Sequence, residues 1–523
     1  MSTSQRSQRA FVTADDTPSA LWRARRGWSR GLGVLVIATA GVATGTASPA
    51  GAIAVAPQFA PPVITATSGT ATIGAAIADL NGDGSADVVT ADYAAGSVDV
   101  MLGAGDGSLL APTTFPTGGS GPEAIATADL DADGSIDVVV ADGSGTVQVL
   151  MGLGTGALAP PSAVPTGGSV PFDVVAAHLD GDGIIDLATA NYGSGTLSVL
   201  RGLGDGGFAA ATTYPVGYVG SHPFSLATGD LDGDADADLA VASRGTAGAV
   251  STFVGAADGT FTPSGTVSSG GAHPHSIAFG DLDADGFDDV VVSNVSLGGT
   301  FTILRANGLG GFAASSTVSS GGQTTAGIAL ADLTSDGALD VGVINTLSGT
   351  LAVLAGNGDG SVGAPTAFTT GSAGPVDVAF ADVDADGRSD AVVTHATAGT
   401  VSVLLNATPP ALVPTIVSPA PGSIVRTRRT ITVRAQVSDS TGALVSDAEA
   451  AALVSPTACR VFVSATGVKE LAPTCMRYDA RRNRFVASLS SGRVPGSETI
   501  TVSITSPSAA APTTASTSIT IVR

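Results

Sequence analysis

A nine-residue stretch, Asp-Leu-Asp-Ala-Asp-Gly-Phe-Asp-Asp at 281–289, returns seven times along the 523 residues in the form D-x-D-x-D-G-x-x-D. The copies begin at Asp79, Asp129, His178, Asp230, Asp281, Asp332 and Asp382, in steps of 49 to 52 residues. A fixed period of this length marks a repeat architecture, in which each unit buries its apolar faces against its neighbours. Carboxylates at positions 1, 3, 5 and 9 converge when the loop wraps once around a point. Hard oxygen ligands at that density suit Ca2+. Gly at position 6 allows the tight turn. Position 7 holds Ser85, Ser135, Ile184, Asp236, Phe287, Ala338 or Arg388. That variety fits a position offering only its backbone carbonyl.

An EF-hand is the competing reading, and it fails. Its loop needs a bidentate Glu at position 12 and a helix after it. Here position 12 holds Thr90, Val140, Thr189, Val241, Val292, Val343 or Val393, and β-branched runs such as Val290-Val291-Val292 follow. The loop therefore feeds a strand.

The expected metal ligands follow from the register. The first loop offers Asp79, Asn81, Asp83 and Asp87, and the second Asp129, Asp131, Asp133 and Asp137. The third offers Asp180, Asp182 and Asp186 behind His178, a poor Ca2+ ligand that makes this loop the weakest. The fourth offers Asp230, Asp232, Asp234 and Asp238, with Ala235 in place of Gly and Asp236 added. The fifth offers Asp281, Asp283, Asp285 and Asp289. The sixth offers Asp332, Thr334, Asp336 and Asp340, and the seventh Asp382, Asp384, Asp386 and Asp390. Up to seven Ca2+ ions are expected, held best by the second, fifth and seventh loops.

Charge follows the loops. The chain carries −23 overall, yet residues 57–408 alone hold 37 acids against four Arg. The seven loops contain 27 of those acids, a clustering that a general solubilising coat would not produce. Four Arg cannot make a phosphate-tracking face, so no nucleic-acid partner is expected.

Within a unit the strands are short. In 121–168 they are expected at 124–128, before the loop, then at 138–141, 146–151 and 163–165. Four short strands per roughly 50 residues are the mark of a propeller blade. The seventh unit runs out after its third strand. An orphan segment at 57–69 precedes the first loop and should supply the missing outer strand, closing the ring.

Two stretches, Ile277-Ala278-Phe279-Gly280-Asp281-Leu282-Asp283-Ala284-Asp285-Gly286 and Ala190-Asn191-Tyr192-Gly193-Ser194-Gly195-Thr196-Leu197-Ser198-Val199-Leu200, carry a resemblance. The units resemble the FG-GAP/VCBS repeats of bacterial secreted proteins, and are similar to the calcium-bearing blades of integrin α-subunit propellers. The resemblance covers about residues 57–406. It implies a seven-bladed propeller with Ca2+ loops between the first and second strands of each blade. It implies no single function.

The flanks differ. Residues 1–56 read as an export signal: Arg23, Arg25, Arg26 and Arg30, a charge-free apolar run to about residue 47, then Ala50-Gly51-Ala52 for cleavage. The Arg25-Arg26 pair permits either a twin-arginine or a general secretion route. Residues 409–523 open on a Pro-rich linker, and alternating segments at 430–437, 460–464, 485–489, 498–504 and 516–522 read as an Ig-like or fibronectin-like sandwich. Cys459 and Cys475, the only cysteines, are expected to form a disulfide in an exported chain. No apolar tail follows, so no membrane span is expected after signal removal. The fold class expected is thus all-β, a propeller at 57–408 followed by a small sandwich.

Catalytic constellations are thin. The region 57–408 has one Glu, Glu123, and Asp173 and Asp377 are its carboxylates near the inner strands. No G-x-S-x-G elbow is present, and the G-x-G patterns lead into strands, as turns do. The reading is a secreted or cell-surface calcium-binding module, a monomer and not an enzyme, that binds an extracellular glycan or protein. The alternative is a polysaccharide-active enzyme or a non-catalytic subunit of one. Candidate ligand contacts lie where each outer strand crosses to the next inner strand: Phe172, Phe224, His273 and His275.

Overall fold

The computed structural model describes residues 56–408 apart from 120, 218, 219 and 246, and beyond them the strands between 412 and 522. The expected export signal therefore lies outside the described residues, save Ala56. In 56–408 the strands form seven four-stranded antiparallel sheets. Blade two is typical, with strands Pro122–Ala128, Asp137–Asp142, Thr146–Leu150 and Ser162–Pro165. The innermost strands contact one another blade by blade around the whole circle, the seventh (Pro375–Ala381) meeting the first (Thr72–Ala78).

Burial falls from the axis outward, and residue choice follows it. Second strands such as Asp137–Asp142 are buried along their length, because neighbouring blades cover both faces. Such strands read as runs of Val and Ala with no alternation. Fourth strands such as Ser162–Pro165 and Phe312–Ser319 are largely exposed and are built mostly from Ser, Thr and Ala. Apolar clusters join each blade to the next: Val175, Leu197 and Val199 of blade three pack with Leu226, Leu239 and Val241 of blade four.

The seventh blade takes its fourth strand from the start of the chain. Val63–Ala66 pairs antiparallel with the third strand of that blade, Val63 opposite Val403 and Ala66 opposite Thr400. Backbone bonds continue the seam, from Ala60 N–H to the Leu405 carbonyl at 2.8 Å and from Ala407 N–H to the Gln58 carbonyl at 2.8 Å. Phe59 packs edge-on against Phe368 of blade six at 5.1 Å between ring centres. Gly399 is required here: a Cβ would lie 2.3 Å from the Gly69 carbonyl oxygen, and its φ of +60° is left-handed. The strand that the seventh unit lacks in sequence is thus supplied as the sequence implies.

Beyond residue 411 the backbone forms a four-stranded sheet built on Leu412–Ser418, Thr430–Asp439, Arg484–Ser490 and Arg477–Asp479. A five-stranded sheet follows, built on Ser423–Arg426, Thr513–Val522, Gly496–Ile504, Val461–Gly467 and Leu471–Cys475. The five segments expected from alternation fall in these strands, apart from Arg460, which lies outside the described residues. Cys459 and Cys475 lie on described strands, but their side chains, and hence the expected disulfide, lie outside the described residues.

Candidate metal centres and the opposite rim

Each acidic loop joins the first strand of its blade to the second. Position 2 is always apolar and buried (Leu80, Leu130, Leu179, Leu231, Leu282, Leu333, Val383), and it anchors the loop in the core. Position 1 folds the loop over itself. In the first loop, Asp79 accepts the N–H groups of Gly82, Asp83 and Gly84 at 2.7, 3.2 and 2.8 Å. Position 5 accepts the N–H of position 7 in every loop, as Asp285 does from Phe287 at 3.0 Å. Position 4 is left-handed in six loops, including Ala132, Ala284, Ser335 and Ala385 at φ of 54–59°. Non-glycine residues cost about 1–2 kcal/mol each there, so the loop geometry is imposed against local preference.

Position 9 begins the second strand and is buried in all seven blades. Its carboxylate is a staple. In the fourth loop Asp238 accepts the Leu231 N–H at 2.7 Å with one oxygen and the Gly255 N–H, from the end of the third strand, at 2.8 Å with the other. Asp87 and Asp137 make the same pair of bonds. Burial pushes these acids up: Asp137, Asp238, Asp289 and Asp390 to about 6 and Asp340 to about 7, with the backbone bonds opposing and the other loop carboxylates adding.

The donor set fits a hard cation in four loops. Carboxylate oxygens come within 4.8 Å of one another in the groups Asp129–Asp131–Asp137, Asp230–Asp232–Asp234, Asp281–Asp283–Asp285 and Asp382–Asp384–Asp390. Asp232 Oδ1 and Asp283 Oδ1 are buried atoms with no hydrogen-bond partner, as expected of oxygens meant for an ion. The fourth loop therefore joins the second, fifth and seventh, although Ala235 stands in its Gly position, at φ 69°. The first and sixth loops, with Asn81 and Thr334 at position 3, bring no such group together among the described residues.

The third loop closes on itself. The ring Nδ1 of His178 lies 3.1 Å from the Ile184 carbonyl, the group that position 7 would offer to an ion. Gly181 escapes the left-handed conformation and donates to the Ala257 carbonyl of blade four at 2.9 Å. Arg201 Nε stands 3.5 Å from Asp180 Oδ2. Imidazole and guanidinium thus engage the carbonyl and one of the carboxylates that a metal would bind. Arg305 lies 3.6 Å from Asp283, and Arg388 pairs with Asp386. Three of the four Arg in 57–408 therefore serve acidic loops.

The fourth, Arg244, lies at the other end of the inner strands. Its guanidinium carbon sits 3.3 Å from the centre of the Phe224 ring. Phe224 touches Phe172 at 5.0 Å and His275 at 5.0 Å, and Phe172 touches Tyr192 at 4.6 Å. Tyr192 stacks on His222 at 4.7 Å. The structure thus gathers Phe172, Phe224 and His275 into one cluster across blades three to five, but buries all three at 1%, 0% and 3% exposure. They form a floor, while Tyr192, His222 and Arg244 are partly exposed above it and His273 is exposed. Sequence reasoning passed over Tyr192, which follows a second strand, and Arg244, which ends one. The pairing of those strands with the inner ones places them at this rim, His222 opposite Arg244.

Propeller and acidic loops together define the class, a ring of repeats that each carry an acidic loop. The chain belongs to the FG-GAP-like repeat family, whose model matches six overlapping stretches, 79–140, 129–189, 178–241, 230–292, 281–343 and 332–393. No curated protein matches the sequence. Among solved structures, BBS1N in complex with ARL6DN, soaked with lead, is 14% identical over 66% of this chain and 96% of that one, with TM-score 0.45. The periplasmic gluconolactonase of Pseudomonas aeruginosa is 19% identical over 57% and 85%, with TM-score 0.42. A Lactobacillus plantarum protein is 17% identical over 65% and 89%, with TM-score 0.42. No helix among the described residues is long and apolar enough to cross a membrane.

Proposed function

We propose that the protein is an exported, calcium-stabilised binding module, monomeric and without catalysis, that presents the rim opposite its acidic loops to an extracellular glycan or protein. The observation that carries this reading is the half-exposed Tyr192–His222 stack beside Arg244, held on a buried aromatic floor. Flat ring faces and a guanidinium, fixed in place before a ligand arrives, suit sugar or peptide contacts. Strands and loops repeat from blade to blade, while these rim residues do not, and a repeated frame with variable rim residues can encode specificity.

Calcium enters as a structural ion. Oxygens of positions 1 and 3, joined by position 5 in the fourth and fifth loops and by position 9 in the second and seventh, would hold it, and it would offset their mutual repulsion. Residues 1–56 direct export in this reading, which N-terminal sequencing of protein from the medium tests directly. The binding reading is tested on a glycan and protein array, with Ca2+ and with chelator, using the wild type and a Tyr192→Ala/His222→Ala/His273→Ala variant. Specific binding by the wild type that the folded variant loses supports the rim. Binding that the variant keeps moves the site elsewhere, and turnover on a polysaccharide panel would replace the binding module with an enzyme.

A further inference from the structure

All seven innermost strands carry a bulge near their start, where the register against the second strand shifts. A bulge re-aims the side chains around it. Just beyond the first residue of these strands, at one level of the axis, blades one, two and six place Gly or Ala. Blades four and five place Ser225 and Ser276, and blades three and seven place Asp173 and Asp377. Every one of these residues is buried. The two aspartates come from blades nearly opposite in the ring, and the charge of Asp173 acts on Asp377. Gly327 of blade six is needed beside them, since a Cβ there would lie 2.8 Å from Asp377 Oδ1.

Asp173 is partly served: its oxygens accept the N–H groups of Val174 and Leu226, both at 2.9 Å. Asp377 is not. Both of its carboxylate oxygens are buried outside hydrogen-bonding geometry, although the Val378 and Ala75 N–H groups face them, and the Ser225 hydroxyl, which faces Asp173, is likewise buried outside that geometry. No cationic side chain among the described residues contributes to the electrostatics of either aspartate. Two buried carboxylates without a counter-charge cost far more than the fold would tolerate if both ionised.

We propose that one hard divalent cation sits on the propeller axis between Asp173 and Asp377, with the Ser225 hydroxyl as a further oxygen donor, as a site distinct from the peripheral loops. The donors are all oxygen, which selects Ca2+, Mg2+ or Mn2+ over softer ions. Two carboxylates balance one divalent charge. Gly and Ala in three blades place little side-chain volume at this level, and the burial of every residue there excludes an organic ligand of any size. Without the ion, burial pushes both carboxyls up, Asp173 to about 7, which favours their protonated forms. The ion would replace those protons.

The test uses the full mature chain. Wild-type crystals grown with Mn2+ should show an anomalous peak on the axis between Asp173 and Asp377, besides those in the loops. Equilibrium dialysis against Ca2+ should find one equivalent fewer in an Asp173→Asn/Asp377→Asn variant than in the wild type, and an Asp285→Asn control should lose its own separate equivalent. Mn2+ peaks confined to the loops, or an unchanged Ca2+ count in the folded double variant, would overturn the axial site. A loss of stability with the count unchanged would make the pair mere staples between inner strands and would equally overturn it. If the double variant does not fold, the wild-type anomalous map decides alone.

Discussion

Single carboxylates in the acidic loops have separable duties. Asp238 bonds two backbone N–H groups inside the blade, whereas Asp232 at position 3 has an oxygen with no protein partner. Asp238→Ala should therefore destabilise by about 1–3 kcal/mol whether or not Ca2+ is present, because buried amides lose their acceptor. Asp232→Ala should lower the melting temperature only when Ca2+ is supplied. Paired thermal melts in Ca2+ and in chelator check both, and identical behaviour of the two variants would refute the division. A pH dependence follows from position 9. Burial pushes all of these acids up in the metal-free fold, Asp238 and Asp289 to about 6 and Asp340 to about 7, against about 4 when unfolded, so the native state binds their protons more tightly. Their contribution is full below pH 4 and is lost as pH rises through 6 to 7. In chelator, melting temperature should fall between pH 5 and pH 8, and Ca2+ should flatten or reverse that slope. The acidic spacing was legible in sequence because ligand geometry fixes it. The stapling role was not, since the second acceptor bond comes from a residue 15 to 17 positions downstream.

Among elements, the third loop shows how one substitution changes a repeated part. His178, in place of a position 1 carboxylate, engages the Ile184 carbonyl that an ion would otherwise bind. Asp182→Ala should leave the Ca2+-induced rise in melting temperature almost intact, and Asp285→Ala should reduce it; equal losses would return the third loop to the metal-binding set. Strand positions were well foreseen, because buried second strands and turn glycines recur at a fixed period. The rim was less so. Pattern places Phe172, Phe224 and His275 at the start of inner strands, but the bulge there turns them between blades, and only pairing across strands brings Tyr192 and Arg244 beside them. The first-to-last seam is a further element with a measurable role. Removing residues up to 69 leaves the outer edge of the third strand of blade seven unpaired, which should cause aggregation or a marked drop in stability. Light scattering and melting of that deletion decide the point, and a stable monomer would refute it.

At the scale of the molecule, ions bound only by the folded ring stabilise it by mass action, about 2.7 kcal/mol per site at a hundredfold excess over Kd. Chelation should therefore lower the melting temperature of the whole propeller in one cooperative step, and an unmoved curve would remove calcium from the account. The seam has a consequence in time. The strand at 63–66 is made first, and its partner at 400–403 more than 300 residues later. At translation rates of about 5–20 residues per second, the first strand waits roughly 20–70 seconds. Bringing the ends together across such a span costs about 5 kcal/mol in chain entropy. A nascent ring is thus an open arc with two raw edges for its entire synthesis, which favours keeping it extended until the last blade has left the ribosome.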